Sequence, residues 1–217
     1  MKVATILPAY NEERRIGKVL EAVCAVRSID EIIVVSDGST DRTAEVARAF
    51  EGVTVIALPK NIGKGGAMAA GLRQTDADVI LFLDADLIGL QPHHIESLIE
   101  PVLNGCEMSI GVFRKGKFWT DTAHKIAPFI SGQRAVRRYL LDQIPWLEEC
   151  RMGAEVTINQ TAKSKNVRVK RVPLLGVSHP PKEKKFGLVK GTAARAKMYA
   201  EMGKAYVKTR RRLRTRK

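Results

Sequence analysis

A chain of 217 residues, 45% hydrophobic and 28% charged, has the size and composition of one well-cored globular domain with a short extension. Of its net charge of +14, residues 182–217 carry +12, so the preceding part is nearly neutral and is not a basic domain. Apolar runs are too short for a membrane-spanning helix, the start shows no signal-peptide pattern, and three cysteines without metal-ligand spacing indicate reduced thiols. These features predict a cytoplasmic protein.

Strand and helix patterns alternate over the first 113 residues. The apolar runs predict strands at 3–7, 32–35, 53–58, 79–83 and 106–113. Helical spacing predicts helices at 13–26, 43–50, from the glycine-rich 61–66 to about 74, and 92–104. Continuous apolar strands that alternate with helices predict an α/β fold, with a mainly parallel sheet covered by helices on both faces.

The pattern weakens after residue 113. We predict a basic loop at 114–117, a short helix from after 134 to about 141, a helix at 155–162, a strand at 167–172 and a helix from about 190. The predicted domains are accordingly 1–187, a catalytic α/β domain, and 188–217, a basic C-terminal helix or tail.

Four polar clusters each follow a predicted strand, at residues 11–12, 37–39, 61–66 and 84–86. Since ligands of such sheets bind outside the carboxyl ends of the strands, we expect one site where these clusters meet. Asp84 and Asp86 are oxygen donors of the kind that Mg²⁺ and Mn²⁺ prefer together with substrate phosphates. The alternative for this pair is a turn or a helix N-cap.

The other clusters offer groups for a nucleotide. Glu12 and Asp37 can accept hydrogen bonds from a nucleoside, whereas Glu13 and Asp41 suit helix capping. The loop around Lys64 resembles a phosphate-binding loop that opens a helix, although it is not a Walker A sequence. A plain turn is the alternative for this loop.

Segments 8–13, 35–41, 61–66 and 82–87, in this order and at these separations, resemble family 2 glycosyltransferases of the GT-A fold. The resemblance implies that Glu12 and Asp37 hold the nucleoside, that Lys64 lies near the ribose-phosphate, and that Asp84 and Asp86 bind sugar nucleotide and metal. The donor-contacting residues that it implies are Pro8, Tyr10, Glu12, Asp37, Ser39, Lys64, Asp84 and Ala85. Ser36 departs from the pattern, since many relatives carry an acid there.

The second half is similar to glucosyl-3-phosphoglycerate synthases and, more distantly, to dolichyl-phosphate mannose synthases, on 131–134, 153–156 and 176–179. This similarity implies that His179 completes a metal site with Asp86, and that Asp86 and Glu155 are the catalytic residues. Alternatively, His179 is a loop residue and Glu155 a helix N-terminal acid. The acceptor residues that we predict are Arg114, Thr120, Ser131, Gly132 and Arg134. Arg134 stands where those synthases tend to carry an acid, and this chain is shorter.

The predicted function is therefore transfer of a sugar, a hexose by preference, from a nucleoside diphosphate donor, with a UDP-sugar favoured. A divalent metal stabilises the departing diphosphate. A hydroxyl acceptor would need a base, for which Glu155 and Asp121 are candidates. A phosphate acceptor would need cations instead, and the basic residues of the second half favour an acceptor that carries phosphate, either a small molecule or a lipid. Those cations are Arg114, Lys117, Arg134 and Arg138.

Two other functions remain open from the sequence. A nucleotidyltransferase shares the architecture but should carry a basic glycine-rich loop after the first strand, which is absent here. A nucleic-acid-binding protein would use the basic tail but leaves the acidic clusters unexplained. The tail itself has three interpretations: a solvated end, contact with the anionic inner face of a membrane, or nucleic-acid binding, which is disfavoured. A homodimer is also left open.

Overall fold

The computed structural model of the chain describes residues 1–114, 131–180 and 188–215. Its strands are β1 (Val3–Ala9), β2 (Glu31–Ser36), β3 (Val53–Ala57), β4 (Val79–Phe82), β5 (Met108–Arg114), β6 (Arg134–Arg137) and β7 (Val169–Leu175). Its α-helices are α1 (Ile16–Cys24), α2 (Thr43–Arg48), α3 (Lys64–Leu72), α4 (Pro92–Leu103), α5 (Arg138–Asp142), α6 (Ala154–Ser164) and α7 (Leu188–Arg214), and a 3₁₀ helix spans Leu147–Gly153.

The strands form one sheet in the order β3-β2-β1-β4-β6-β5-β7. Strand β6 is antiparallel to its neighbours β4 and β5, and every other pair is parallel. Because β6 runs the other way, the residues that precede it lie where the parallel strands have their carboxyl ends. We call this side of the sheet the ligand edge. The topology confirms the mainly parallel sheet and adds the loop before β6 to the predicted ligand edge.

Helices cover both faces of the sheet, as predicted. Successive strand residues point to opposite faces, so Leu7 packs in a layer with α1 and α4, while Ile6 packs in a layer with α3, α5 and α6. Both side chains are fully buried. The two layers fix the strand register and therefore the position of every loop at the ligand edge.

The prediction between residues 131 and 141 was incomplete, because it contained the helix but not strand β6. This strand has four residues, two of them arginines, and lacks the apolar run typical of a buried strand. Its pairing with β4 and β5 outweighs that weak local pattern. The predicted division into 1–187 and 188–217 stays a prediction.

The three cysteines are free thiols. In the parts of the chain that the structure describes, every helix is too short or too polar to cross a bilayer.

Candidate active site

Asp37, directly after β2, connects two loops of the ligand edge. It is buried, and its carboxylate accepts hydrogen bonds from the backbone N–H groups of Ile62 (2.7 Å) and Gly63 (2.9 Å). Gly38 has φ +65°, a left-handed conformation that glycine adopts without strain, and it brings the chain against Asn61. Asp37 thus shapes the loop that leads to Lys64, and its nucleoside contact stays a prediction.

The loop after β1 supplies one exposed aromatic ring and one buried acid. Tyr10 is 46% exposed, whereas Glu12 is buried and its backbone N–H donates to Thr43 Oγ1 at 2.8 Å. Pro8 lies within β1 and pairs with Val35 of β2. Their contacts with a donor nucleotide also stay predictions.

Ser39 holds the first two loops together. Its Oγ accepts a hydrogen bond from the backbone N–H of Asn11 at 3.1 Å and one from Ser36 Oγ at 2.9 Å. Ser36 is the residue that departs from the family pattern, and its hydroxyl here has a structural partner.

Lys64, at the start of α3, lies between two carboxylates. Its Nζ forms ion pairs with Asp84, after β4, and with Glu155, in the first turn of α6. Burial of the ammonium group favours its neutral form, but the charges of the two carboxylates outweigh this and raise the pKa of Lys64. Lys64 therefore carries a full positive charge that the protein neutralises internally.

Asp84 has partners on three sides. Besides Lys64, it accepts a hydrogen bond from Gln133 Nε2 at 2.7 Å, and its Oδ2 lies 3.4 Å from His179 Nε2. Burial opposes ionisation, but the charges of Lys64 and His179 outweigh it and lower the pKa of Asp84 to about 2. A Cβ at Gly132 would overlap this carboxylate, so the loop before β6 can approach only because that residue is glycine.

Asp86 and His179 meet at the outer side of the site. The Nδ1 of His179 lies 2.9 Å from Asp86 Oδ1. Burial lowers the pKa of His179, but the hydrogen bond to Asp86 and the charge of Asp84 outweigh it, so the net shift is upward. The loops that carry the two residues are joined by backbone hydrogen bonds between Ile88 and Ser178, at 2.9 and 3.0 Å. Ala85, between the two acids, is buried.

These donors fit a hard divalent cation that is shared with a substrate. Within the described ranges, no three His, Cys, Asp or Glu side chains are arranged around a common metal position. Asp86 and His179 offer one oxygen and one nitrogen donor, because Asp84 is already engaged by Lys64. Mg²⁺ and Mn²⁺ commonly take few protein donors and complete their coordination with phosphate oxygens and water.

Arg134 lies inside the protein, and its predicted contact with an acceptor stays a prediction. This residue is fully buried in β6, and its guanidinium donates to Ser131 O, Glu155 O (3.1 Å) and Asn159 Oδ1 (2.9 Å). Its burial lowers its pKa to about 10, despite the nearby carboxylates. Arg134 therefore joins the loop before β6 to the start of α6.

The other acceptor candidates lie in different settings. Ser131 and Gly132 stand beside Asp84, where Ser131 Oγ donates to Gln133 Oε1 at 3.0 Å. Arg138 is partly buried and donates to Thr75 O and Leu72 O, which gives it a structural role. Arg114 ends β5, and nothing of its side chain is described. Thr120, Lys117 and Asp121 lie outside the described residues.

Gln133 is the residue of this site that the sequence prediction missed. Its side chain contacts both Asp84 and Ser131, so it connects the acid to the neighbouring loop. It lies within the segment 131–134 that resembles the family, directly before β6.

A family model, Glycosyl transferase family 2, matches residues 5–152. The chain belongs to this family. The match spans all four sequence segments that carry the resemblance, and it continues through β6 and into the 3₁₀ helix. The predicted membership is thereby confirmed.

Two curated relatives represent the similar sequences. Glucosyl-3-phosphoglycerate synthase of Mycolicibacterium smegmatis is 34% identical over 124 residues, which cover 52% of this chain and 41% of the relative. Undecaprenyl-phosphate 4-deoxy-4-formamido-L-arabinose transferase of Pseudomonas paraeruginosa is 37% identical over 147 residues, which cover 63% of this chain and 42% of the relative. The chain thus spans about two fifths of the length of these relatives.

Solved structures give a wider match. Glucosyl-3-phosphoglycerate synthase from Mycobacterium tuberculosis, in complex with Mn²⁺, UDP and glucosyl-3-phosphoglycerate, is 25% identical with a TM-score of 0.68. The match covers 93% of this chain and 80% of that one. A complex of the same enzyme with Mg²⁺ and UDP also has a TM-score of 0.68, at 25% identity, 93% of this chain and 79% of that one. These likenesses confirm the predicted GT-A fold.

Proposed function

We propose that this protein transfers a sugar from a UDP-sugar to an acceptor that carries phosphate, with Mg²⁺ or Mn²⁺ bound by Asp86 and His179. One observation carries the proposal: the acids after β4, Lys64, Glu155 and His179 meet at the ligand edge of a family 2 fold. The solved relative contains a divalent metal and UDP, which supports the same donor here.

The charge of the site supports dependence on a metal. With His179 neutral, as a metal ligand must be, the three carboxylates of Asp84, Asp86 and Glu155 exceed the two nearby cations, Lys64 and the buried Arg134, by one charge. Such a site repels a diphosphate unless a divalent cation neutralises it. When bound, the metal supplies Lewis-acid stabilisation of the departing diphosphate.

The protein's own residues have separate roles in this proposal. Asp86 and His179 hold the cation, and the ammonium of Lys64 offsets part of the negative charge of the neighbouring carboxylates. Asp84 holds Lys64 in place, and Glu155 lies on the other side of the same ammonium, close enough to orient an acceptor. An acceptor hydroxyl would give its proton to Glu155, whereas an acceptor phosphate is already anionic and needs no base.

The names of the relatives support an acceptor that carries phosphate. One solved complex of the mycobacterial synthase contains phosphoglyceric acid, and the Pseudomonas transferase is named for undecaprenyl phosphate. The shared chemistry is a phosphate, on a small molecule or on a lipid. A lipid-linked acceptor would place the protein at the inner face of the cytoplasmic membrane, and the basic helix α7 has the charge for that contact.

The test is thermal unfolding with UDP, GDP and their sugars, each with and without Mn²⁺. We expect UDP with Mn²⁺ to raise Tm by several degrees at saturating concentration, and EDTA to abolish the shift. Asp86→Ala should lose the response. Glu51→Ala, an exposed acid before β3 at the opposite sheet edge, should keep it. The proposal fails if no nucleoside diphosphate stabilises the wild type, or if Asp86→Ala responds equally.

A further inference from the structure

One side of helix α7 is bound firmly to the catalytic domain. Thr209 is buried, and its Oγ1 lies 3.0 Å from Oγ1 of Thr157 in α6. Ala205 packs directly on Gly153, where a Cβ would overlap the Ala205 methyl. These contacts fix the rotation of the helix about its axis, and therefore which residues face outward.

Two of the basic residues share one acidic partner on the domain. Lys208 and Arg212 both bind Glu149 Oε2 of the 3₁₀ helix, at 2.5 and 2.9 Å. The guanidinium of Arg212 also lies over the Trp146 ring, 5.1 Å from its centroid. Because Glu149 carries a single negative charge, it offsets one of these two positive charges.

The opposite side of α7 carries uncompensated positive charge around exposed apolar groups. We define this outer face as Lys204, Tyr206, Val207, Arg210, Arg211 and Arg214, all exposed. Val207 is 68% exposed and Tyr206 46%. Positions 207, 210, 211 and 214 follow helical spacing, so they form one continuous stripe. The one acid among residues 200–215, Glu201, lies 3.9 Å from Arg151 of the domain.

We infer that the outer face binds the surface of a bilayer that contains anionic lipids. A basic helix face with a few exposed apolar side chains lies in the lipid interface, with the cations at the phosphates and the apolar groups below them. Tyrosine also favours the level of the headgroups. Single-stranded nucleic acid fits this face less well, because base stacking needs several aromatic rings and this face has one.

The inference deepens the proposed membrane contact but does not depend on sugar transfer. Each cation near an anionic surface increases partitioning about fivefold. The outer face has four cations, so loss of three of them should weaken binding to anionic vesicles on the order of a hundredfold.

The experiment compares two triple variants of the full chain by vesicle sedimentation. Arg210→Gln, Arg211→Gln and Arg214→Gln together neutralise the outer face. Lys18→Gln, Arg27→Gln and Arg48→Gln together remove the same charge from exposed positions on or beside α1 and α2. The vesicles are pure phosphatidylcholine or contain about 30% phosphatidylglycerol.

We expect the wild type and the α1/α2 triple variant to bind the anionic vesicles at low salt and not the neutral ones. The outer-face triple variant should lose this binding, and Val207→Ser should weaken it. The inference would be overturned if both triple variants bound the anionic vesicles as the wild type does. It would also be overturned if both lost this binding equally, because the effect would then follow net charge and not the outer face. Loss of binding to a labelled single-stranded RNA with vesicle binding unchanged would also overturn it. The UDP and Mn²⁺ stabilisation of the same variants reports separately on the proposed function.

Discussion

Asp86 is the residue proposed to hold the metal, but Asp84 makes more contacts within the site. Its carboxylate contacts Lys64, Gln133 and His179, which come from three different parts of the chain. Folding therefore stabilises the ionised form of this side chain, as its lowered pKa of about 2 indicates.

This shift predicts how stability depends on pH. The pKa of Asp84 is lower in the folded protein than its ordinary value of 3.8, so the ion pairs stabilise the fold fully above pH 4 and less as the pH falls towards 2. The contribution is about 2 kcal/mol, of which about half is lost by pH 3. Asp84→Asn removes the contribution of the ionised carboxylate. The difference in unfolding free energy between wild type and variant should therefore shrink from pH 6 to pH 3.

Urea unfolding at several pH values measures this difference. Glu51→Gln is the control, because Glu51 is exposed and lies before β3, away from the site. A difference for Asp84→Asn that stays constant down to pH 3 would show that Lys64 and His179 do not stabilise the ionised carboxylate.

Single residues of the site were predictable when a charged or polar side chain directly followed a predicted strand. The sequence singled out Lys64, Asp84, Asp86, Glu155 and His179, and the fold brings them together, while their roles in transfer remain predictions. The positions of Glu155 and His179 came from the family resemblance, because no local pattern connects residues so far apart. The burial of Arg134 could not be predicted, since its hydrogen-bond partners depend on the pairing of β6.

At the level of elements, β6 and α6 depend on one another through Arg134. The guanidinium connects the carbonyl of Ser131, before β6, to the carbonyl of Glu155 and the side chain of Asn159 in α6. Glu155 forms the ion pair with Lys64 from the same turn of α6. Arg134 is therefore a positioning residue, which orients the acidic side of the site from inside the protein.

Removal of this guanidinium should affect both stability and the site. Arg134→Met removes a charged donor from two buried acceptors and from the partly buried Asn159, which should cost about 2–4 kcal/mol of unfolding free energy. Arg134→Lys keeps the charge but cannot reach all three acceptors, so an intermediate loss is expected.

Separate measurement of kcat and KM for the Arg134 variants distinguishes a role in positioning Glu155 from a general loss of stability. At a temperature where both variants are fully folded, we expect kcat to fall more than the affinity for UDP and Mn²⁺, because Glu155 moves and Asp86 does not. Equal donor binding and equal kcat in folded Arg134→Met would contradict the positioning role.

The elements themselves were predictable to different degrees. Strands β1 to β5 and helices α1 to α4 follow apolar runs and helical spacing, and their bounds lie within about three residues of the prediction. Strand β6 was missed because its four residues carry no strand pattern of their own. Its place between β4 and β5 follows from tertiary pairing, which the local sequence does not encode.

At the scale of the whole molecule, helix α7 carries the outer face and packs on the elements that lead to the site. It packs on α6 and the 3₁₀ helix through Ala205 and Thr209, and α6 begins one residue before Glu155. The sequence predicted a basic helix here but not its orientation. That orientation depends on the close contact between Gly153 and Ala205, which no pattern along one segment reveals.

A pair of substitutions tests this contact. Gly153→Ala adds a methyl group where the Ala205 methyl already lies, so it should lower the unfolding free energy by about 1–3 kcal/mol. Ala205→Gly should cost about 1 kcal/mol through its lower helix propensity. The double variant exchanges the two small residues and should be less destabilised than the sum of the single effects, by about 1 kcal/mol.

Gly203→Ala provides the control within the same helix, because nothing lies within 4 Å of a Cβ at that position. There the methyl group should leave stability unchanged or raise it by up to about 1 kcal/mol. Urea unfolding of the four variants gives the coupling energy, and vesicle binding shows whether a displaced α7 loses its outer face. Strict additivity, or equal effects of Gly153→Ala and Gly203→Ala, would mean that α7 does not pack on Gly153 in solution. The vesicle result would then have to be explained by the basic residues alone, without a fixed helix orientation.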